Sequence, residues 1–321
     1  MSTTRLPPVA TLEASSAGWG FFLCARKDVR SGKSGDYLAL VLQDVSGEIR
    51  AKVFQDVPAL KDEFAAGDFV KVHGRGNAFN QRVELVLDKI RRVMPERDAL
   101  EGFREELCIQ CSPRPVDDMW AQLQARIGEV VHPQIRLLLE TLVARHGDRL
   151  RIWPAARTVH HAYRSGLLEH ILKIMDVVVF LAETYGARRD LVIAGALLHD
   201  LGKLHELTYD ATTGYSVEGN LVGHITMGVG MLRDALRDQP DFPADLALEL
   251  QHLVVSHHGL KELGSPVEPM TVEAFMLAAA DDLDAKIHQI RRHVDDDDSE
   301  GPFTAYHARL QRVFLKPSST S

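Results

Sequence analysis

Cysteine is nearly absent from this 321-residue chain: Cys24, Cys108 and Cys111 are too few for a disulfide framework. The spacing Cys108-Ile-Gln-Cys111 matches half of a zinc ribbon or a redox pair, but no second such pair follows, so both thiols read as incidental. Long apolar runs are missing as well. No stretch approaches the roughly 20 residues that span a bilayer, and the opening Met-Ser-Thr-Thr-Arg contains no apolar signal segment. These absences set the expectation of a soluble, cytoplasmic protein with no membrane partner. Excess positive charge is lacking too. The formal net charge is −8, which argues against generic polyanion binding by the chain as a whole. No internal repeat is present, and only the Ser/Thr tail beyond Pro317 has the composition of a disordered segment.

The charge that is present is unevenly spread. Between residues 20 and 93 thirteen Lys and Arg oppose ten acids, a balance of +3 that leaves −11 for the rest. A mildly basic module therefore precedes an acidic body. In that module residues 21–26, 37–42, 48–54, 69–74 and 83–87 read as five short strands separated by Gly, Asp and Ser turns, enough for a small barrel. In the third strand Ile49, Ala51 and Val53 share one face, and Arg50, Lys52 and Phe54 the other; in the fourth, Val70 and Val72 oppose Lys71, His73 and Arg75. Cations interleaved with an aromatic ring suit single-stranded nucleic acid, whose bases stack and whose phosphates pair with charge. The alternative is plain solvation of an outer face. A five-stranded barrel of the oligonucleotide-binding (OB) type favours the first reading, with Arg50, Lys52, Phe54, Lys71 and Arg75 as candidate contacts.

Residues 95–115 mark a boundary, after which the periodicity becomes helical. Asp117 is placed to cap a helix through Trp120, Leu123, Ile127 and Val131, and a second helix follows Pro133. Further helices are expected around 221–238, 243–258, 271–293 and 303–313, with a short hairpin over 206–217 centred on Thr212-Thr213-Gly214. The acidic run 295–298 reads as a solvated loop. The expected architecture is multi-domain α+β: an OB-type barrel over 1–95, a helical linker region over 96–150 and an all-α domain over 151–315.

The chemistry concentrates in that last domain. His199-Asp200 stands at the end of the apolar run Ala196-Leu-Leu-His-Asp-Leu-Gly-Lys203, and His170 interrupts the helical stripe Leu167, Ile171, Ile174, Val178. His224, His257-His258 and Asp281 follow, most of them within apolar helical stretches. Burying one unpaired imidazole or carboxylate costs several kcal/mol. A single histidine on an apolar face is usually just a satisfied core residue, but this ordered set on separate helices points to a shared cation. Imidazole and carboxylate without thiolate favour manganese, iron or zinc over calcium.

The order His170, His199-Asp200, Asp281 resembles the HD superfamily of metal-dependent phosphohydrolases, and the additional His224 and His257 resemble its two-metal branch. The match narrows over Gly166-Leu-Leu-Glu-His170, Gly219-Asn-Leu-Val-Gly-His224, Ser256-His-His-Gly259, Gly264-Ser-Pro-Val267 and Asp281-Asp-Leu-Asp-Ala-Lys286, which are similar to the YhaM-type 3′-to-5′ exoribonucleases. That family joins an OB barrel to an HD domain, so the resemblance covers nearly the whole chain. One departure is Ala278, where the family often carries His. The string Asp-Gly-x-Gly-Tyr-Pro of cyclic-dinucleotide phosphodiesterases does not follow His257-His258-Gly259.

The resemblance implies two divalent cations, manganese first with iron, zinc or magnesium as alternatives. His170, His199, Asp200 and Asp281 are assigned to one ion. Asp200 would bridge to a second held by His224 and His257, with His258 either a ligand or a neighbour of one, and His252 behind the ligands or in the core. Lys203 is a candidate partner for a nonbridging phosphate oxygen, or else a helix-end lysine. His161 has a similar choice between the substrate strand and a boundary position. The implied activity is removal of nucleoside 5′-monophosphates from the 3′ end of single-stranded RNA, with single-stranded DNA as an alternative substrate and a homo-oligomer as the expected assembly. Two other readings stay open: an HD phosphohydrolase of small nucleotides with a regulatory barrel, and a non-catalytic RNA-binding protein.

Overall fold

Alternation between apolar and polar residues decides the N-terminal half. In the computed structural model, which describes residues 4–32, 35–79, 82–156, 163–209, 213–297 and 299–317, Ile49, Ala51 and Val53 are buried while Phe54 is exposed. Strands β1 (Ala17–Gly32), β2 (Gly35–Asp44), β3 (Gly47–Val53), β4 (Phe69–Phe79) and β5 (Arg82–Arg92) close into a barrel in the order β1-β2-β3-β5-β4. Only β3 and β5 run parallel. The long β1 serves both neighbours because a bulge between Cys24 and Arg26 bends it from β4 toward β2. Leu38, Leu40, Leu42, Val70, Val72, Leu85 and Leu87 fill the interior.

Two short helices, α1 (Val57–Leu60) and α2 (Pro95–Asp98), punctuate this unit. Asp98 is fully buried and accepts from both terminal nitrogens of Arg91, at 2.8 and 2.6 Å, and from the Met94 amide. The bidentate Arg91 guanidinium outweighs burial and holds the Asp98 carboxyl down at about 2. Cys108 packs with Phe21, Leu23, Val93 and Phe103, and its burial pushes the thiol up to about 12, which makes it a core residue.

The chain divides after Pro113. Residues 116–150, expected within a helical linker, form α3 (Val116–Gly128) and α4 (Pro133–Leu150), whose Met119, Leu123, Ile127, Leu138, Leu139 and Leu142 belong to the core of the second unit. Pro115, not Asp117, occupies the cap of α3; Asp117 lies in the first turn, where its charge complements the helix dipole. Next come α5 (Gly166–Tyr185), α6 (Arg189–Leu198), α7 (Lys203–Glu206), the hairpin β6 (Leu207–Tyr209) and β7 (Thr213–Tyr215), then α8 (Val217–Val222), α9 (His224–Arg237), α10 (Ala244–Ser256) and α11 (Val272–Asp296).

Two expectations fail near the C-terminus. The segment 303–313 is not helical. Its backbone pairs antiparallel, with Thr304 N donating to Phe314 O at 2.9 Å and His307 N to Arg312 O at 2.9 Å, turning through Gln311 at φ 52°. Apolar spacing there matched a helical period, but the rings of His307 and Phe314 are used to cover His293 on α11. The acidic run is not simply solvated either: its first two residues finish α11, and Asp297 accepts from Lys316 Nζ at 2.6 Å and from the amide of Ala305.

Candidate metal centre

Helices α5, α6, α9 and α10 bring their ends, and α11 its middle, to one buried spot. His170 enters from the first turns of α5, and His199 and Asp200 leave the C-terminal end of α6. His224 opens α9 and His257-His258 follow α10. Asp281 comes from the middle of α11. Glycine makes the approach possible: a Cβ added at Gly202 would lie 1.9 Å from the carbonyl oxygen of His224, so only glycine lets the start of α9 rest on the His199-Asp200 turn.

The donors sort into two triads. His170, His199 and Asp281 each bring a ligand atom within 4.8 Å of the others, and so do His224, His257 and His258. Asp200 stands between them. Its Oδ2 is 3.4 Å from His170 Nε2 and 3.5 Å from His199 Nε2, whereas Oδ1 is 3.5 Å from His224 Nε2 and 3.8 Å from His257 Nε2. The first triad closes with His170 Nε2 at 3.2 Å from His199 Nε2 and 3.3 Å from Asp281 Oδ1.

Every imidazole in the two triads uses its Nδ1 elsewhere. His199 Nδ1 donates to Ala196 O at 2.9 Å, His257 Nδ1 to Val254 O at 2.7 Å and His258 Nδ1 to Leu263 O at 2.9 Å. His170 Nδ1 meets Asp284 Oδ2 at 2.9 Å and His224 Nδ1 meets Glu206 Oε1 at 3.1 Å. With Nδ1 tied off, Nε2 is the nitrogen each ring presents to the centre.

Burial then sets the charge states. It pulls the His199, His257 and His258 rings below the ordinary range, His257 most strongly, leaving neutral imidazoles with a lone pair to give. At His170 burial acts the same way, but Asp200, Asp281 and Asp284 outweigh it and favour a positive charge there. Asp200 is held well below the carboxylate range despite its burial, by Lys203, His199 and His170.

A metal-free reading leaves these residues in difficulty. Asp200 Oδ1, His224 Nε2 and His257 Nε2 are buried and, among the described residues, make no hydrogen bond. Each such atom costs about 1–3 kcal/mol. Asp200 Oδ1 lies 3.5 Å from His224 Nε2 and 3.8 Å from His257 Nε2, so a divalent cation among them would satisfy all three; the donor set fits.

Other expected residues fall out as follows. Lys203 is largely buried and its Nζ sits 2.6 Å from Asp200 Oδ2, inside the centre rather than at a solvated helix end. His258 joins the second triad. His252 stands apart from both triads; its Nε2 accepts from the Met270 amide at 2.8 Å and pins the loop before α11. Ala278 is buried one turn before Asp281, beside Gly259. His161 lies outside the described residues. Glu206 and Asp284 were not foreseen. The only available signal was the position of Asp284, one turn beyond Asp281 on the same helix face.

On the barrel, Lys52 and Arg75 flank Val86 in one cross-strand row of the outer face. Phe54 is 56% exposed and its ring lies 5.5 Å from that of Tyr37 on β2. Arg50 shares the outward side of β3, two residues before Lys52. Lys71 does not join them: it is drawn to Glu101 and Asp98. Phe79, not among the expected contacts, is 49% exposed and lies under the ammonium of Lys52 at 4.5 Å. It continues the outward alternation 71, 73, 75, 77, so the signal was there.

Comparison with known proteins agrees with both halves. Residues 167–286 match the HD domain and residues 24–93 the OB-fold nucleic acid binding domain. The chain is 35% identical over 285 residues to the 3′-5′ exoribonuclease YhaM of Bacillus subtilis (strain 168), covering 88% of each chain. It is also 35% identical to the YhaM of Bacillus pumilus (strain SAFR-032), again over 88% of each. Among solved structures it is similar to the second OB-fold domain of replication protein A from Methanococcus maripaludis, at 21% identity over 28% of this chain and 95% of that one, with a TM-score of 0.24. Among the described residues no helix is long and apolar enough to cross a membrane. With a closed five-stranded barrel before a helical domain whose donors gather as two triads, this chain belongs to the YhaM family of OB-fold and HD-domain exoribonucleases.

Proposed function

We infer that the protein is a metal-dependent 3′-to-5′ exoribonuclease acting on single-stranded RNA, in the cytoplasm and as a homo-oligomer. The observation that carries the inference is Asp200, a buried carboxylate with one oxygen turned to each triad and one of those oxygens left, among the described residues, without a hydrogen bond. His170, His199 and Asp281 would hold one divalent cation and His224, His257 and His258 the other, with Asp200 shared and manganese the expected ion. Cations bound there supply a nucleophile at neutral pH and relieve charge on the phosphorus oxygens.

The rest is the work of the chain. The neutral imidazoles of His199, His257 and His258, fixed through Nδ1, cost no reorganisation when they donate. Lys203, already within the centre, offers its ammonium to a nonbridging phosphate oxygen. His170, His199, Asp200 and His257 are themselves buried, which keeps bulk water from these donors. On the barrel, Phe54 and Phe79 give bases a stacking surface, and Arg50, Lys52 and Arg75 meet phosphates, so binding tolerates sequence and weakens as salt rises. Hydrolysis at the 3′ end adds water across the terminal P–O3′ bond and releases a nucleoside 5′-monophosphate.

The test is a 5′-labelled single-stranded RNA incubated with manganese-loaded protein, beside single-stranded DNA and a panel of free nucleotides. Progressive shortening from the 3′ end with release of 5′-monophosphates is expected. Turnover of free nucleotides alone would replace this reading with a small-nucleotide phosphohydrolase.

A further inference from the structure

The five histidines of the two triads differ in what holds them. His199, His257 and His258 lean on backbone carbonyls, which no side-chain substitution removes. One histidine in each triad leans on a carboxylate instead: His170 on Asp284 in the first and His224 on Glu206 in the second. These two acids come from different elements. Asp284 lies on α11, one turn past Asp281, whereas Glu206 ends α7 and reaches the first residue of α9.

Glu206 holds its histidine twice, accepting from the ring at 3.1 Å and from the backbone amide of His224 at 3.0 Å through the same Oε1. Both acids are half-buried, with side chains 13% and 18% exposed, so neither contact is loosened by full solvation. Their surroundings fix them too. A Cβ at Gly219 would meet the carbonyl of Glu206 at 2.1 Å, so α8 packs directly onto the backbone that carries this acid. A carboxylate behind a metal-bound histidine fixes the ring's orientation and raises its basicity.

We propose that Asp284 and Glu206 are positioning residues that each govern one of two metal positions, Asp284 the one at His170, His199 and Asp281, and Glu206 the one at His224, His257 and His258. This rests on the two-cation reading above and sharpens it, because it makes the positions separately addressable through residues outside the donor set. The hydrogen bonds that tie these acids to the donors run from Asp284 to His170 and from Glu206 to His224, one in each triad. Removing one therefore weakens one equivalent and spares its neighbour.

Calorimetric titration of the metal-stripped full chain with manganese decides the matter. The wild type is expected to take up two equivalents. Glu206→Gln and Asp284→Asn, which keep side-chain shape, are each expected to lower the affinity of one equivalent by about 10–100-fold and leave the second near its wild-type value. The double variant Glu206→Gln/Asp284→Asn then loses affinity at both. Identity of the affected position is read by adding His258→Ala, which should further weaken the equivalent lost in Glu206→Gln and leave the one lost in Asp284→Asn. Circular dichroism of the metal-free variants separates misfolding, which would depress both equivalents together. Two wild-type equivalents that persist at full affinity in both single variants overturn the inference, as does equal loss of both equivalents in a variant that remains folded. A wild type that binds no manganese sinks the two-cation reading itself. Glu206→Asp and Asp284→Glu provide a second measure: partial recovery of the lost equivalent supports positioning, and affinities no better than those of the amides count against it.

Discussion

The barrel face and the helical centre both gather polar groups, and they settle them in opposite ways. On the barrel, Lys52 finds Glu84 at 2.6 Å and Arg92 pairs with Asp68, so part of the charge is met within the chain, and the rings of Phe54 and Phe79 stand exposed beside it. In the helical unit, Asp200 Oδ1, His224 Nε2 and His257 Nε2 are shut away from water with no hydrogen-bond partner among the described residues. Satisfied charge on a surface says little about a ligand, since exposed ion pairs are worth only about 0–1 kcal/mol. Unsatisfied donors at depth are costly, and a fold that retains several in one place has a use for them.

That contrast can be attacked from either side. The largest effect is expected at the centre. Asp200→Ala should lower kcat on RNA by roughly 10³-fold or more while binding of single-stranded RNA, measured by fluorescence anisotropy, stays within about twofold of wild type; turnover that survives would mean the centre is misassigned. On the barrel, Phe54→Ala and Phe79→Ala should each weaken RNA binding by about 1–3 kcal/mol through lost stacking, with kcat at saturating substrate retained.

A stability difference of similar size is expected at Asp98, a core residue of the barrel unit. The Arg91 contact lowers its folded pKa from 3.8 to about 2, so the charged form is what the fold favours. The stabilisation is complete above about pH 4 and fades as pH falls through about 2. Asp98→Asn should therefore lower the barrel's urea midpoint by an amount equivalent to about 1–3 kcal/mol at pH 7, and the gap from wild type should shrink on acidification; a gap that widens below pH 4 would contradict the pairing. The smallest change is expected from Lys52→Ala. Because Glu84 already shares its charge, the slope of log Kd against log salt should fall by about one unit at most, and a larger drop would show that Lys52 meets phosphate free of its partner.

What could be read in advance follows the same physics. His170, His199, Asp200 and Asp281 were visible because a polar residue inside an apolar helical stripe is an anomaly that any single sequence displays. His258 was ambiguous from its position beside His257, since adjacent helical residues diverge by about 100° and only the turn after α10 brings both to the second triad. Glu206 and Asp284 were hidden because they are two acids among 45, and the histidines they hold lie 18 and 114 residues away. The strands of the barrel announced themselves by alternation. The segment 303–313 misled because Phe303, Tyr306, Leu310 and Val313 recur at helical spacing, whereas the local backbone bonds across to residues 312–315.

Gly202 gives the centre a vulnerability that no inventory of its donors would disclose. One methyl group there would collide with the His224 carbonyl and wedge α9 outward, and His224 would leave with it. A chain could thus keep all six histidines and aspartates of its two triads, together with Asp200, and still be unable to load its second ion.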